Sequence, residues 1–406
     1  MRCWKMWWGE ITMRFFLLLL ITISLYCEDL NSLIQKGFNN NPTIQKLRVE
    51  VDLKAYDIAN SKLYKNPTIT IGINDINFDT PEKRDIEPMQ TNFISFSQQI
   101  TDSDKLSLQT QIKITNQKLI LLKIQEEKNK LVKNIYKYYF SYFQLKNQIK
   151  LNRKKIENID KISLYHTNNI QNTKAFQNIL SNDLIKEKLH IKILINKEKQ
   201  KQILINISQL INQDIRTLKK SQTIISNNSN SIEEHTLLLI ENLKIEQNNY
   251  EKDLALENQS SDYTISAGYY NRNSFDDYAS IALKIPLNIY GKEKNNLLKE
   301  KKAINVAKHN FEEVKTKLKR DFAIYSSKQN LAKKSLVYIQ SIKQHLLKEK
   351  ELITNKNITN NLVEILMLEN KLLDNEIQKT QYTKDMQLAL VELIYLTSSL
   401  KGLYNE

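Results

Sequence analysis

The chain has 406 residues, of which 60 are Lys or Arg and 45 are Asp or Glu, for a formal net charge of +15. Six glycines, five prolines and two cysteines against 41% hydrophobic residues leave too few turn formers for a compact α/β enzyme and favour long helices. The glycines (Gly9, Gly37, Gly72, Gly268, Gly291, Gly402) are all isolated, which excludes a phosphate-cradling loop of the P-loop or dinucleotide type.

Residues 1–27 read as a secretory signal. Arg14 precedes an apolar run from Phe15 to Tyr26 that falls short of the about 20 residues a membrane-spanning helix needs. Residues 1–12 are a candidate mis-called start, since Met13 would open a more conventional signal. Cleavage after Cys27 removes Cys3, Cys27 and the tryptophans Trp4, Trp7 and Trp8, leaving a cysteine-free chain with a formal charge of +13. A lipidated N-terminus at Cys27 is the competing reading; that processing wants a small residue before the cysteine, and Tyr26 stands there. No later apolar run has helical membrane-spanning length, so any passage through a membrane has to be made by strands.

In chain order, residues 29–65 carry helical spacing (Leu30, Ile34, Leu47, Val51, Ala55, Ile58), broken at Pro42 and ended by Asn66-Pro67. From Thr68 the period becomes two, with Ile69, Ile71 and Ile73 on one face and Thr70, Gly72 and Asn74 on the other. A polar loop with Pro81 and Pro88 leads to a second alternating stretch, 91–100, where Ile94 and Phe96 share a face. The pair predicts a β-hairpin over 67–100. A helix then runs from about Asp102 to Tyr165, roughly 60 residues and about 90 Å at 1.5 Å per residue. Its apolar residues recur in sevens, Ile135, Tyr142, Ile149 and Ile156 with Leu131, Tyr138, Leu145 and Ile159, which is a coiled-coil seam. An Asn-rich turn at 167–174 separates it from a helix over about 176–212.

The same plan returns after a polar linker at 221–231. A helix over about 232–258 leads to a second hairpin, 262–289, with Ile265 and Tyr269 on one face of its first strand and Ile281, Leu283 and Ile285 on one face of its second. A long helix follows from about Lys292 to Ile353, then a turn at Asn355-Lys356-Asn357 and a heptad-bearing helix (Ile365, Leu372, Met386, Leu393 with Leu368, Tyr382, Ala389, Leu396). Gly72 and Gly268 are 196 apart, Gln99 and Pro286 187, and Asn172 and Asn357 185, so residues 28–220 and 232–406 read as two copies of one unit.

Four strands of about 8–10 residues, each apolar on one face, match outer-membrane barrel strands in length and dyad pattern. A sheet in lipid cannot leave open edges, and four strands cannot close on themselves, so several chains must pool their hairpins. Two soluble hairpins capping helical bundles are the alternative.

Helix, Asn66-Pro67-Thr68 into a strand, a second strand ending in Ser97-Gln98-Gln99-Ile100 or Ile285-Pro286-Leu287-Asn288-Ile289-Tyr290-Gly291-Lys292, then a long helical hairpin, all twice over, resembles the TolC-type outer-membrane efflux proteins over about residues 29–400. Asn41-Pro42 belongs to the same pattern. The resemblance implies a mainly α fold with a small β part: a homotrimer whose hairpins form a twelve-stranded β-barrel in outer-membrane lipid, continued by a long α-helical barrel in the periplasm. It implies strands that face lipid through Ile69, Ile71, Ile73, Ile94, Phe96, Ile265, Tyr269, Ile281, Leu283 and Ile285. It implies helical tips (Asn168, Asn169, Asn172, Thr173; Asn355, Lys356, Asn357) that contact a periplasmic adaptor serving an inner-membrane transporter. Asn172 and Asn357 stand where the family usually has a tip glycine. Family members with an acidic gate read D-V-L-D after the second tip; here Glu364-Ile365-Leu366-Met367 keeps the first carboxylate at Glu364 and replaces the second with Met367. Three copies of Glu364 would form a ring favouring cations; a solvated first-turn glutamate is the plainer reading.

The cluster Tyr136, Tyr138, Tyr139, Phe140, Tyr142 and Phe143 suggests stacking on nucleic acid, but its heptad spacing favours packing. Lys and Arg are dispersed over every helix, unlike a nucleic-acid site. The histidines 166, 190, 235, 309 and 345 have no metal-ligand spacing, and neither a catalytic constellation nor a cofactor motif is legible. The chain thus reads as a passive exit duct, with a soluble periplasmic coiled-coil protein or a cytoplasmic nucleic-acid-binding coiled coil as the alternatives.

Overall fold

The computed structural model describes residues 27–168, 173–220, 231–355 and 362–397. Its elements are β1 (Cys27–Glu28), α1 (Leu30–Asn40), α2 (Pro42–Ser61), β2 (Thr68–Asn74), β3 (Thr91–Ile100), α3 (Ser103–Asn168), α4 (Thr173–Ile211), β4 (Thr217–Leu218), a 3₁₀ turn (Ile232–Glu234), α5 (Thr236–Glu257), β5 (Tyr263–Asn271), β6 (Tyr278–Lys284), α6 (Lys292–Asn355) and α7 (Leu362–Leu396). They form two compact units. One joins Leu47–Ile124 with Thr236–Val314; the other joins the chain up to Lys46 with Gln125–His235 and the segment from Lys315 onward. Each unit therefore draws on both halves of the sequence.

In the first unit, β2, β3, β5 and β6 form one antiparallel sheet in that order. The two hairpins read from the sequence are joined by a β3–β5 ladder from Asn92↔Asn271 to Ile100↔Tyr263, a pairing that no local pattern announces. The loop before β3 is held by the Arg84 guanidinium, which donates to the carbonyls of Asn74, Asp75 and Thr91, and by Gln90 Oε1, which accepts from the backbone N–H groups of Ile86 and Glu87. The turn before β6 is held by Asp277, whose carboxylate accepts from Arg272 N at 2.8 Å and Asn271 Nδ2 at 3.1 Å. Below the sheet, the buried Lys105 ammonium lies 2.9 Å from Asp262, which also accepts from Thr101 Oγ1 and Gln99 Nε2 at 3.0 Å each.

In the second unit, Asp29 caps α1 by accepting from Ser32 N at 2.8 Å, and the helix buries Leu30, Leu33, Ile34 and Phe38. A Cβ on Gly37 would lie 2.8 Å from Leu131 Cδ2, so glycine permits the close approach of α1 to α3. The predicted break at Pro42 falls there: Asn41 Oδ1 accepts from Thr43 N and Ile44 N, its Nδ2 donates to Leu210 O at 2.9 Å, and proline occupies the first helical position, where it has no hydrogen bond to lose. The short parallel β1–β4 pair, Cys27↔Thr217 and Glu28↔Leu218, was not legible in the sequence, since two residues carry no period.

Along the long helices, hydrogen bonds and ion pairs run from neighbour to neighbour. Lys186 and Asp160 (2.8 Å) and Asn196 and Gln148 (3.3 Å) tie α4 to α3. Lys155 and Asp374 (2.7 Å), Gln144 and Gln381 (3.1 Å) and Lys137 and Glu392 (2.8 Å) tie α3 to α7. Lys343 and Glu376 (2.7 Å) and Lys350 and Glu369 (2.7 Å) tie α7 to α6. The order is α4–α3–α7–α6.

Several boundaries differ from the sequence reading. α3 continues to Asn168, with Thr167 Oγ1 donating back to Ser163 O at 2.9 Å, and α4 begins at Thr173, where composition alone suggests a loop. The helix expected from 232 is a 3₁₀ turn that stops at His235 before α5. β6 ends at Lys284, so Ile285 lies one residue beyond it, next to Pro286, which has no N–H for a ladder. Among the described residues, no helix is long and apolar enough to cross a membrane.

Candidate functional site

Directly paired residues of an antiparallel sheet share a face, so the register decides which side chains are neighbours. Ile69, Phe96, Ala267 and Ile281 form one row across all four strands; Ile71, Ile94, Tyr269 and Ala279 form the next; Gln98, Ile265 and Leu283 form a third. Ile73 continues the same face. Nine of the ten residues singled out in the strands therefore lie on one continuous apolar face, and it is exposed: Ile71 is 77% and Ile281 83% accessible. Ile285 is exposed as well, just past the strand end.

The opposite face carries Thr70, Ser95, Gly268 and Ser280 in one row and Gly72, Phe93, Tyr270 and Tyr278 in another. In the latter row Phe93 and Tyr270 stack at 5.4 Å and Tyr270 and Tyr278 at 4.8 Å. A Cβ on Gly72 would come within 2.7 Å of the Phe93 ring, so the glycine gives the first ring its seat. One side of the sheet is thus greasy and the other is mostly small and polar, with one aromatic stripe. Among the described residues, the outer edges of β2 and β6 have no partner strand in the sheet.

At the start of α7, Glu364 and Met367 lie one turn apart and both are exposed, while Leu366 and Leu368 are buried on the other side. The exposed stripe continues through Lys371 to Asp374, whose pairing with Lys155 sequence reasoning missed because the partners are 219 residues apart. Of the tip residues, Asn168 and Thr173 are the exposed ends of α3 and α4, and Asn355 is the last residue of α6. Asn169, Asn172, Lys356 and Asn357 lie outside the described residues, as does the signal up to Tyr26.

The aromatic cluster of α3 is packed. Tyr136, Tyr139, Phe140 and Tyr142 are buried, with Tyr139 and Phe143 at 4.8 Å, and leave no open stacking platform for a base. Burial pushes the Tyr136 hydroxyl up to about 12. Nearby, helix α3 meets the end of α7 and the segment before α5 in a buried polar cluster. Tyr395 donates its hydroxyl to Glu126, its ring lies 3.8 Å from Lys133 Nζ, and His235 packs edge-on against it at 5.0 Å. Burial pushes the Glu126 carboxyl up more than the Tyr395 hydroxyl pulls it down, and Glu126 Oε2 has no hydrogen-bond partner. Burial, reinforced by Lys133 and Lys130, depresses the His235 imidazole to about 4. Beside this cluster, Tyr325, Leu331, Tyr382 and Leu388 line a cavity of about 410 Å³ with the Lys137–Glu392 pair in its wall. Among the described residues, no group of three or more His, Cys, Asp or Glu side chains is placed to hold a metal ion.

No protein-family model and no curated protein matches the chain. Solved structures do match in fold. CusC, described in terms of folding and transmembrane channel formation, aligns with a TM-score of 0.72 at 11% identity, covering 91% of each chain. The open state of the Neisseria gonorrhoeae MtrE outer membrane channel aligns at 0.72 and 11% identity, covering 91% of this chain and 88% of that one. The Vibrio cholerae outer membrane protein VceC aligns at 0.71 and 12% identity, covering 91% and 95%. The chain has the fold of these outer-membrane channels.

Proposed function

We propose that the chain is the outer-membrane channel subunit of a tripartite efflux or secretion system, a passive exit duct that does no bond chemistry. The observation that carries this reading is the continuous exposed apolar face of a four-stranded sheet whose two edges are, among the described residues, unpaired. In hydrocarbon each unpaired backbone group costs several kcal/mol, so such a sheet is stable only when closed. Single-chain barrels start at about eight strands, and three copies of four supply twelve, enough to leave an aqueous lumen lined by the Ser, Thr and Gly face.

On this reading the chain resides in the outer membrane, as a homotrimer, with its helices in the periplasm. The two tips contact a periplasmic adaptor, energy comes from an inner-membrane transporter, and three Glu364 carboxylates surround the exit path as a candidate gate. Residues 28–220 and 232–406 are duplicated units joined by the linker 221–231. The fold shared with MtrE and VceC supports the reading, while the soluble coiled-coil alternative would need the isoleucine face covered from within the chain.

Membrane fractionation, mass measurement in detergent and planar-bilayer conductance test it together. We expect outer-membrane recovery, a trimeric mass and discrete conductance steps. A monomer that stays soluble without detergent overturns the proposal.

A further inference from the structure

We propose that Phe93, Tyr270 and Tyr278 of each copy form an aromatic collar just inside the outer mouth of the duct, at the level of the sheet that limits the size of what passes. This rests on the duct reading above, which turns the polar face of the sheet to the lumen. Side-chain size on that face changes abruptly along the strands. The row Thr68, Ser97, Ser266 and Ala282 and the row Thr70, Ser95, Gly268 and Ser280 hold nothing larger than threonine. The next row, Gly72, Phe93, Tyr270 and Tyr278, puts a ring on three of its four strands. It is the last row to span all four strands before the connections 75–90 and 272–277, which lie at the end of the sheet away from the helices that enter and leave it. On the duct reading that end faces outward.

The rings are held in place as well as aligned. Phe93 lies over Gly72 and Tyr270 over Gly268, where an added Cβ would come within 2.7 Å and 2.9 Å of the respective ring. The ring planes differ by 21° between Phe93 and Tyr270 and by 1° between Tyr270 and Tyr278. Rings that stack face to face across strands about 4.8 Å apart stand upright on the sheet and border the space above it with their edges. The Arg272 guanidinium, 5.2 Å from the Tyr278 ring, closes the end of the stack. A ring seated on a glycine and stacked on its neighbour cannot swing aside as a free side chain does. Three copies bring nine such rings to one level of a wall that is otherwise small there, so this level is narrower than the two rows on its helix side. Cross-strand stacking also strengthens strand pairing, a role that needs no effect on passage and that the test below separates.

Thiol labelling from outside the cell tests the collar. Ser280→Cys places a thiol one row on the helix side of the rings, and Ile281→Cys places one on the opposite face. Intact cells are treated with a small charged maleimide or with a maleimide carrying a long polyethylene glycol chain, and the protein is recovered in detergent and weighed, with the parent chain as background. We expect the small reagent to label Ser280→Cys and not Ile281→Cys, and the bulky reagent to label neither. In Ser280→Cys combined with Phe93→Thr, Tyr270→Thr and Tyr278→Thr, exclusion of the bulky reagent is lost. Tyr278→Thr alone, which keeps the Phe93–Tyr270 stack, loses part of it and carries the test if the triple variant does not assemble. At a trimeric mass, bulky labelling that is the same with and without the rings overturns the collar, leaves the rings as strand-pairing contacts and leaves the duct reading standing. Labelling of Ile281→Cys in place of Ser280→Cys by the small reagent inverts the two faces and overturns the duct reading as well.

Discussion

His235 is almost fully buried, with its ring edge on Tyr395 and the ammonium groups of Lys133 and Lys130 nearby. Its folded pKa of about 4 lies below the ordinary 6.5, so between those values the unfolded chain binds the proton that the folded chain refuses. Stability therefore rises with pH through that window and is lost on acidification, by up to about 3 kcal/mol for a shift of this size. Glu126, on the other side of the same tyrosine, has the opposite sign: its raised pKa means that the folded chain takes up a proton first and gains stability as pH falls. The two effects are separable. In thermal melts followed by circular dichroism at pH 7 and pH 4.5, His235→Phe is expected to lose less of its midpoint on acidification than the parent chain. An unchanged pH dependence would remove His235 from the account. Nothing in the spacing of His235, Glu126 and Tyr395 marks them as neighbours; Glu126 and Tyr395 are 269 residues apart.

At the scale of elements, periodicity accounts for most of what forms. α1 and α2 remain two helices at one asparagine: its backbone N–H donates to Gly37 O at the end of α1, its Oδ1 accepts from the first N–H groups of α2, and its Nδ2 donates to Leu210 O at the end of α4. Asn41→Ala should cost about 1–2 kcal/mol, read as a lower denaturation midpoint. Asn41→Asp should recover the capping share while losing the bond to Leu210, and equal loss in both variants would assign the effect to Leu210 alone. On the proposed reading, the same alternation that makes a strand decides which substitutions membrane lipid tolerates. Ile281→Arg places a charge on the apolar face, at a cost of about 2–4 kcal/mol per copy near the middle of the bilayer, whereas Ser280→Arg points to the polar face. Recovery of trimer from the outer membrane should fall sharply for the first and little for the second. Equal recovery would mean that the isoleucine face does not meet lipid.

At the scale of the whole molecule, the sheet ends, among the described residues, in two strands, β2 and β6, without a partner on their outer edges, and the proposed trimer would pair those edges across copies. Alternation in twos and recurrence in sevens are properties of neighbouring residues. The sequence by itself therefore determined the four strands, their greasy side, the break at Asn41-Pro42 and the long heptad helices. Element ends moved by a few residues, at Asn168, Thr173, His235 and Lys284, because a period does not mark where the last helical or ladder hydrogen bond falls. Only the tertiary structure decided that β3 pairs with β5, that Asp374 meets Lys155 and that Tyr395 reaches Glu126. These contacts join residues from about 160 to 270 positions apart, a distance over which no local period carries information and only packing selects the partner.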